Sequence, residues 1–188
     1  MARLESSDVI VGVWVVEPAV HGDERGVLVE TYRREWFPQG LEMVQANRGD
    51  RRQGSIVGLH YHLHQADYWY VPFGSARVVL HDLRVGSRTD GATLTLDLGG
   101  RADGDHDHRG VYIPPGVAHG FAALSDMTIA YLVDRYYNPA DELGVAWDDP
   151  AVDADWGLVD PILSSRDQAN PRRDELPDDR RPHARLRS

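Results

Sequence analysis

Short runs of apolar residues, separated by turns rich in glycine and proline, recur along this chain. Continuous or alternating apolar positions predict strands at 9–16, 27–33, 75–86, 93–100 and 126–138. No long amphipathic helical repeat interrupts this pattern. We therefore expect an all-β protein, built as an antiparallel sandwich or barrel with only short helices at its periphery.

Residues 54–74 carry the most unusual pattern in the chain. In an extended strand, His60, His62 and His64 would share one face, and Asp67 follows them. Core strands ordinarily carry valine or isoleucine at such positions. Three imidazoles and a carboxylate between glycines therefore indicate a functional site, with a solvent-exposed strand edge as the alternative.

Length and composition predict one folded unit and a tail. A chain of 188 residues that is 41% hydrophobic can bury a full core, and we assign that core to a single domain at 1–167. Residues 168–188 have few apolar side chains and mixed charge. We expect them to form a polar, flexible tail or to lie along the surface.

Charge and residue usage exclude several classes of function. The formal net charge of −10 argues against nucleic acid or an anionic membrane as the partner. All 20 basic residues are arginines, which excludes a Schiff-base lysine and suits an anionic small ligand. The lack of cysteine excludes disulfides, thiolate zinc sites and cysteine nucleophiles.

The first residues give an expectation about location. Glu5 and Asp8 lie where a signal peptide would carry positive charge. No stretch approaches the roughly 18 apolar residues that a membrane span needs. We expect a cytoplasmic protein.

Seven short motifs occur along most of the chain. They are, in order, Asp23-x-Arg25-Gly26…Glu30, Gln45-x-Asn47, Gly58-Leu59-His60-Tyr61, Pro114-x-Gly116-x-x-His119-Gly120-Phe121, Tyr131…Tyr136-Tyr137, Glu142-x-Gly144-x-x-Trp147-Asp148-Asp149-Pro150 and Leu163-Ser164-x-Arg166-Asp167. In order and spacing, this set resembles the dTDP-4-dehydrorhamnose 3,5-epimerases, which are double-stranded β-helix proteins of the cupin superfamily. The resemblance extends over about 9–167.

The resemblance implies a fold and a reaction. Enzymes of that family remove protons beside the keto group of a dTDP-4-keto-6-deoxyhexose in deoxysugar biosynthesis and return them from the other face, at carbons 3 and 5. They need no cofactor and usually work as dimers. This chain is therefore expected to be an isomerase that binds a small nucleotide-sugar and forms a homodimer.

The resemblance also implies roles for individual residues. His60 matches the general base, Asp167 the carboxylate that orients it, and Tyr131 the proton donor on the opposite face. A histidine with a near-neutral pKa, held by a carboxylate, suits removal of a weakly acidic proton. The residues expected to bind substrate are Arg25 at the pyrophosphate, Glu30, Gln45 and Asn47 along the nucleotide and sugar, and His119, Tyr137 and Glu142.

Three positions depart from the family pattern. Val57 stands where the family has an arginine that would contact the ligand, and His62 stands where it has a glutamine. Asp67 stands where it has a lysine that would stabilise the enolate oxygen. A carboxylate in that place would oppose a developing oxyanion by several kcal/mol in a dry site.

The same departures leave two alternatives open. His60, His62, Asp67 and His119 resemble the ligand set of metal-dependent cupins, which would suit Zn, Fe, Mn or Ni in an isomerase or oxygenase. In that case His60 could not also be a free base. The other alternative is a homologue that binds the sugar nucleotide without turnover.

Overall fold

The computed structural model describes residues 1–37, 42–101 and 104–184, and its regular secondary structure is almost entirely antiparallel β-strand. Its strands are β1 (Arg3–Ser6), β2 (Trp14–Glu17), β3 (Val20–Asp23), β4 (Gly26–Val29), β5 (Gln45–Arg51), β6 (Ile56–Tyr61), β7 (Asp67–Phe73), β8 (Ser75–Asp82), β9 (Thr93–Gly100), β10 (His106–Asp107), β11 (Gly110–Ile113), β12 (Val117–Ala123), β13 (Met127–Val133) and β14 (Leu143–Gly144). One short α-helix, α1 (Ser165–Gln168), and 3-10 helices at Arg34–Trp36, Arg173–Glu175 and Asp178–Arg180 lie outside the strands.

Two six-stranded sheets form the body of the protein. Sheet one runs β1-β2-β11-β7-β13-β5, and sheet two runs β10-β9-β8-β12-β6-β14. Most neighbouring strands are distant in sequence, so the sheets are assembled through long connections rather than successive hairpins. Strands β3 and β4 pair with each other in a separate hairpin.

The main core lies between the two sheets. Trp69 and Ile129 of sheet one pack in one cluster with Leu80, Val117 and Phe121 of sheet two. The rings of Trp69 and Phe121 meet edge to face with centroids 5.7 Å apart. The predicted all-β antiparallel fold is confirmed, as two packed open sheets.

Several strand predictions agree with the structure, and one is wrong. The strand expected at 93–100 coincides with β9, and those at 75–86 and 126–138 contain β8 and β13. In 9–16, however, only the residues from Trp14 onward are extended.

The remainder of that segment forms turns. The hydroxyl of Ser7 accepts hydrogen bonds from the backbone N–H groups of Val9 and Ile10, and Gly12 has a φ of +84°. Ile10 and Val13 are nonetheless fully buried. The apolar residues Ile10 and Val13 therefore indicate burial, not a β-strand.

His64 does not lie beside His60 and His62 as predicted. Strand β6 ends at Tyr61, so the alternation of faces does not continue to His64, which is exposed. The two N–H groups at Leu63 and His64 instead donate to the Asp141 carboxylate.

The C-terminal segment at 168–184 lies along the body of the protein. Leu176 is buried in a second apolar cluster, the hydroxyl of Tyr61 donates to the Arg180 carbonyl, and His183 forms a bridge with Val85. Residues 185–188 of the expected tail lie outside the described residues. The domain boundary at 167 and the flexibility of the tail stay predictions. In the described part of the chain, no helix is long and apolar enough to cross a membrane.

Candidate active site

A histidine–aspartate pair is the centre of the site. His60 lies on β6 between β12 and β14, in register with His119 and Gly144. Its Nε2 lies 2.7 Å from Oδ1 of Asp167 in α1. The His60 side chain is 20% exposed and that of Asp167 is 4% exposed, so solvent reaches the imidazole but hardly the carboxylate.

Local structure holds the carboxylate in place. Ser164 caps α1, and its hydroxyl accepts a hydrogen bond from the Asp167 N–H at 3.1 Å. The backbone N–H of Gly58 donates to the second carboxylate oxygen at 3.5 Å. Burial disfavours ionisation of Asp167, but the hydrogen bond and charge of His60, with help from Ser164 and Gly58, lower its pKa overall. The carboxylate is therefore ionised at neutral pH.

Gly58 lets β6 approach β12 at the site. It has a φ of +118°, and a Cβ there would lie 2.7 Å from Cα of Gly120 and 2.8 Å from the carbonyl oxygen of His119. A side chain at this position would push apart the two strands that carry His60 and His119.

Tyr131 faces the same interior space from sheet one. In β13 it is in register with Trp69 of β7 and Asn47 of β5. Because the Trp69 ring packs against the His119 ring across the interior, with centroids 5.1 Å apart, this face of sheet one lies opposite His60. Burial, and then the charge of Asp67, raise the pKa of Tyr131, so its hydroxyl keeps its proton at neutral pH.

A second group of side chains lies at the inner end of the site. His62, Asp67 and His119 are all buried, and one potential ligand atom from each lies within 4.8 Å of the others. Burial lowers the pKa of His119 to about 4, so its ring is neutral. Of the four residues expected in a metal set, these three come together. His60 does not belong to the group, because it is not among the residues whose ligand atoms lie within 4.8 Å of one another.

Three of the expected substrate-binding residues, Gln45, Asn47 and Tyr137, bond to one another, and a fourth, Glu142, pairs with residues outside this set. The Gln45 side chain donates to the Asn47 side chain at 2.9 Å on β5, and the Tyr137 N–H donates to Gln45 at 3.4 Å. Glu142 forms an ion pair with Arg166 at 3.5 Å, next to α1. Its other oxygen lies 3.8 Å from His62 Nδ1, which connects it to the buried group.

Arg25 and Glu30 lie apart from these residues. Arg25 is at the tip of the β3–β4 hairpin and pairs with Asp23, while Glu30 follows the hairpin and pairs with Arg33 at 2.6 Å. Both side chains are exposed. Within the described ranges, neither bonds to His60, Asp167 or Tyr131.

Sequence reasoning missed the residues that hold the buried group. The Gln65 amide donates to one oxygen of Asp67 at 2.9 Å and the Trp69 indole to the other at 3.1 Å. The Asp141 carbonyl lies 2.7 Å from Nδ1 of His62. None of these bonds has a signal in the local sequence. The cap of α1 by Ser164, which holds Asp167, does have one: a serine three residues before an acid at a helix start.

Comparison with known proteins decides the family. The sequence profile of the dTDP-4-dehydrorhamnose 3,5-epimerases matches residues 8–175. The chain belongs to this epimerase family. A curated relative, the dTDP-4-dehydrorhamnose 3-epimerase of Streptomyces niveus, is 38% identical over 167 residues, which cover 85% of this chain and 78% of that protein.

Solved structures of epimerases share the fold. NovW, a 4-keto-6-deoxy sugar epimerase from the novobiocin cluster of Streptomyces spheroides, superposes with a TM-score of 0.88 at 34% identity, covering 97% of this chain and 94% of NovW. RmlC of Legionella pneumophila, a dTDP-6-deoxy-D-glucose-3,5-epimerase solved with dTDP-4-keto-L-rhamnose, has a TM-score of 0.88 at 29% identity, with coverage of 99% and 100%. The predicted double-stranded β-helix and the enzyme class are thereby confirmed.

Two departures of this epimerase from the family pattern, Val57 and Asp67, lie on strands that are consecutive in sequence but belong to different sheets. Val57 is half-buried on β6 and packs against the main core, so an apolar contact stands where the pattern has an arginine. Asp67 is buried at the start of β7 between His62 and His119. No arginine is paired with Asp67 in the described part of the chain.

Proposed function

We propose that this epimerase inverts carbon 3, carbon 5 or both of a dTDP-linked 4-keto-6-deoxyhexose in deoxysugar biosynthesis. The observation that carries the proposal is the bond between His60 and Asp167, opposite Tyr131, in a chain of this family. Removal and return of a proton moves no electrons between substrate and protein. The reaction therefore requires no redox cofactor.

His60 acts as the general base. The ionised Asp167 accepts the Nε2–H hydrogen bond of His60, which fixes the tautomer whose Nδ1 carries the free lone pair. The exposed Nδ1 then takes the proton beside the ketone, and the nearby carboxylate stabilises the imidazolium that forms.

Tyr131 acts as the acid on the other face of the sugar. Its raised pKa keeps the phenol protonated, so it can donate a proton to the enolate carbon. Inversion requires that removal and return occur on opposite faces, and His60 and Tyr131 come from the two opposed sheets.

The remaining expected residues bind the substrate. Gln45 and Asn47 offer amide groups on β5, and Tyr137, Glu142 and His119 line the rest of the pocket. Arg25 lies on an exposed hairpin, and Glu30 directly follows it; Val27 and Leu28 of this hairpin are 63% and 69% exposed. Apolar side chains this exposed support a homodimer in which the hairpin contacts a second copy.

Turnover and binding test the proposal together. Incubation with a dTDP-4-keto-6-deoxyhexose, followed by proton NMR, should show a new stereoisomer. Titration calorimetry should show binding of dTDP and weaker binding of GDP, and sedimentation should show a dimer. Failure to bind dTDP at millimolar concentration would exclude a dTDP-sugar substrate.

A further inference from the structure

The epimerase chemistry above places His119 in the pocket lining but does not explain why His62, Asp67 and His119 are buried together as a group. The three residues are 5%, 4% and 5% exposed, so each polar atom that they bring together is withdrawn from bulk water. A carboxylate without a counter-charge in such a place is costly.

Hydrogen bonds fix how the two imidazoles face the carboxylate. Nδ1 of His62 lies 2.7 Å from the Asp141 carbonyl oxygen, and Nδ1 of His119 lies 3.0 Å from the Val117 carbonyl oxygen. A carbonyl only accepts, so both Nδ1 atoms carry the proton. In the neutral rings, both Nε2 atoms are then bare acceptors.

Both Nε2 atoms lie near the carboxylate of Asp67, which is also a hydrogen-bond acceptor. Nε2 of His62 is 3.9 Å from one oxygen of Asp67, and Nε2 of His119 is 4.0 Å from the other. Both separations are too long for a direct hydrogen bond. Two imidazole Nε2 atoms and one carboxylate therefore surround one small space without a direct hydrogen bond between them.

We propose that His62, Asp67 and His119 bind one divalent first-row transition-metal cation. Two imidazole Nε2 atoms and one carboxylate are a common ligand set for such ions, and they leave coordination positions open. Backbone carbonyls that hold the distal N–H of each ligating histidine are typical of metal sites, and both are present here.

The distances suit an ion of this kind. At bonds of roughly 2.1 Å, two ligands of a tetrahedral ion lie roughly 3.4 Å apart. The separations of 3.9 and 4.0 Å each exceed this distance by roughly half an ångström, and all three ligand atoms lie within 4.8 Å of one another, so a bound ion would draw the three side chains together. The Gln65 amide and Trp69 indole each use one lone pair of Asp67, and every carboxylate oxygen has a second one free.

The site adjoins the catalytic residues. His119 is in register with His60 across β12 and β6, and Trp69, whose indole donates to Asp67, is in register with Tyr131. A bound cation would restore, next to the reacting sugar, the positive charge that the family pattern places at the position of Asp67. This consequence rests on the proposed function, whereas binding of the ion does not.

Metal binding by the full-length protein, without substrate, is the test. Chelator-treated protein is titrated with Co²⁺, followed by visible absorption, and with Zn²⁺, followed by calorimetry. We expect one equivalent of either ion to bind with micromolar affinity or better, and the Co²⁺ spectrum to show a site of low coordination number.

Matched variants assign the ligands. Asp67→Asn, His62→Gln and His119→Gln, each checked for folding by circular dichroism, should weaken binding by more than about 100-fold, beyond the loss typical of outer partners. His64→Gln, in the same loop but exposed, and His60→Asn should retain wild-type affinity while His60→Asn loses epimerase activity.

Two results would overturn the site. One is wild-type protein that binds no stoichiometric Co²⁺ or Zn²⁺ at 100-µM metal, about 100 times the expected dissociation constant; a trapped water would then fill the space. The other is equal loss of binding in His64→Gln and Asp67→Asn. Neither result affects the proposed epimerase activity, which is measured separately.

Discussion

Nε2 of His60 lies 2.7 Å from Oδ1 of Asp167, although 107 residues separate them in the chain. The bond joins a strand of sheet two to a four-residue helix that Ser164 caps. It leaves Nδ1 of the same imidazole, whose side chain is 20% exposed, as the nitrogen available to act as base. One contact thus sets both the tautomer and the direction of the proposed base.

Loss of the orienting charge should reduce turnover without loss of binding. Asp167→Asn keeps the shape but removes the charge that holds the Nε2–H tautomer, so we expect kcat to fall by about 10²–10⁴-fold. The affinity for dTDP, measured by calorimetry, should stay within a few-fold of wild type. Ser164→Ala is the control: it removes the cap and costs about 1 kcal/mol of stability, with a smaller loss of kcat. An Asp167→Asn enzyme with normal kcat would contradict the role of this pair.

Tyr131→Phe should separate removal of the proton from its return. The variant keeps the ring that packs between β5 and β7 but lacks the acid. We expect the substrate to lose its proton to solvent at a rate near that of wild type, while formation of the inverted product falls by about 10²-fold or more. The measurement is NMR of product and residual substrate in one time course. An equal fall in the rate of proton loss and in the rate of product formation would mean that Tyr131 also acts in removal of the proton.

Gly58→Ala should be far more damaging than Gly54→Ala. At Gly58, an added Cβ would meet Cα of Gly120 at 2.7 Å, whereas at Gly54 nothing lies within 4 Å, and both have positive φ angles. We expect Gly54→Ala to cost about 1 kcal/mol from backbone strain alone and Gly58→Ala about 3 kcal/mol or more. Urea unfolding measures both. Similar values for the two variants would refute the close approach of β6 and β12.

Stability should fall in mild acid because two histidines are buried in the neutral form. Burial lowers the pKa of His81 and of His119 to about 4, from an ordinary value near 6.5. Between these values the unfolded chain binds more protons than the native protein, so the free energy of unfolding decreases as the pH falls from 6.5 to 4. Each residue can contribute up to roughly 3 kcal/mol of this loss.

Urea unfolding at several pH values measures that slope. His81 donates through Nδ1 to the Thr93 hydroxyl, and its Nε2 has no hydrogen-bond partner among the described residues. His81→Gln should therefore flatten the dependence between pH 4 and 6.5, while the exposed His64→Gln should leave it unchanged. A slope that is the same in all three proteins would contradict this explanation.

The fold was predictable from the sequence because alternation and turn residues act locally. Strand β9 coincides with the alternating segment at 93–100. The turn through Gly12 was not predictable, since buried apolar residues in a turn look like those in a strand. The end of β6 before His62 likewise has no strong local signal.

The site was predictable in part, and for a different reason. The family motifs proposed His60, Asp167 and Tyr131, and the structure brings the first two into contact. The hydrogen bond from His62 to the Asp141 carbonyl spans 79 residues and involves a backbone atom, which no side-chain pattern reports. The sequence also grouped His60 with the metal set, because spacing along a strand does not reveal that only His62, Asp67 and His119 come together.

Incorporation of solvent deuterium is the most direct test of proton removal by His60. A dTDP-4-keto-6-deoxyhexose incubated with the enzyme in deuterated water should gain deuterium at carbon 3, carbon 5 or both, as seen by NMR. In His60→Asn, the rate of this exchange should fall by about 10³-fold or more, while the variant still binds dTDP. Undiminished exchange in His60→Asn, or a wild-type enzyme that binds the substrate without any exchange, would contradict the proposed mechanism.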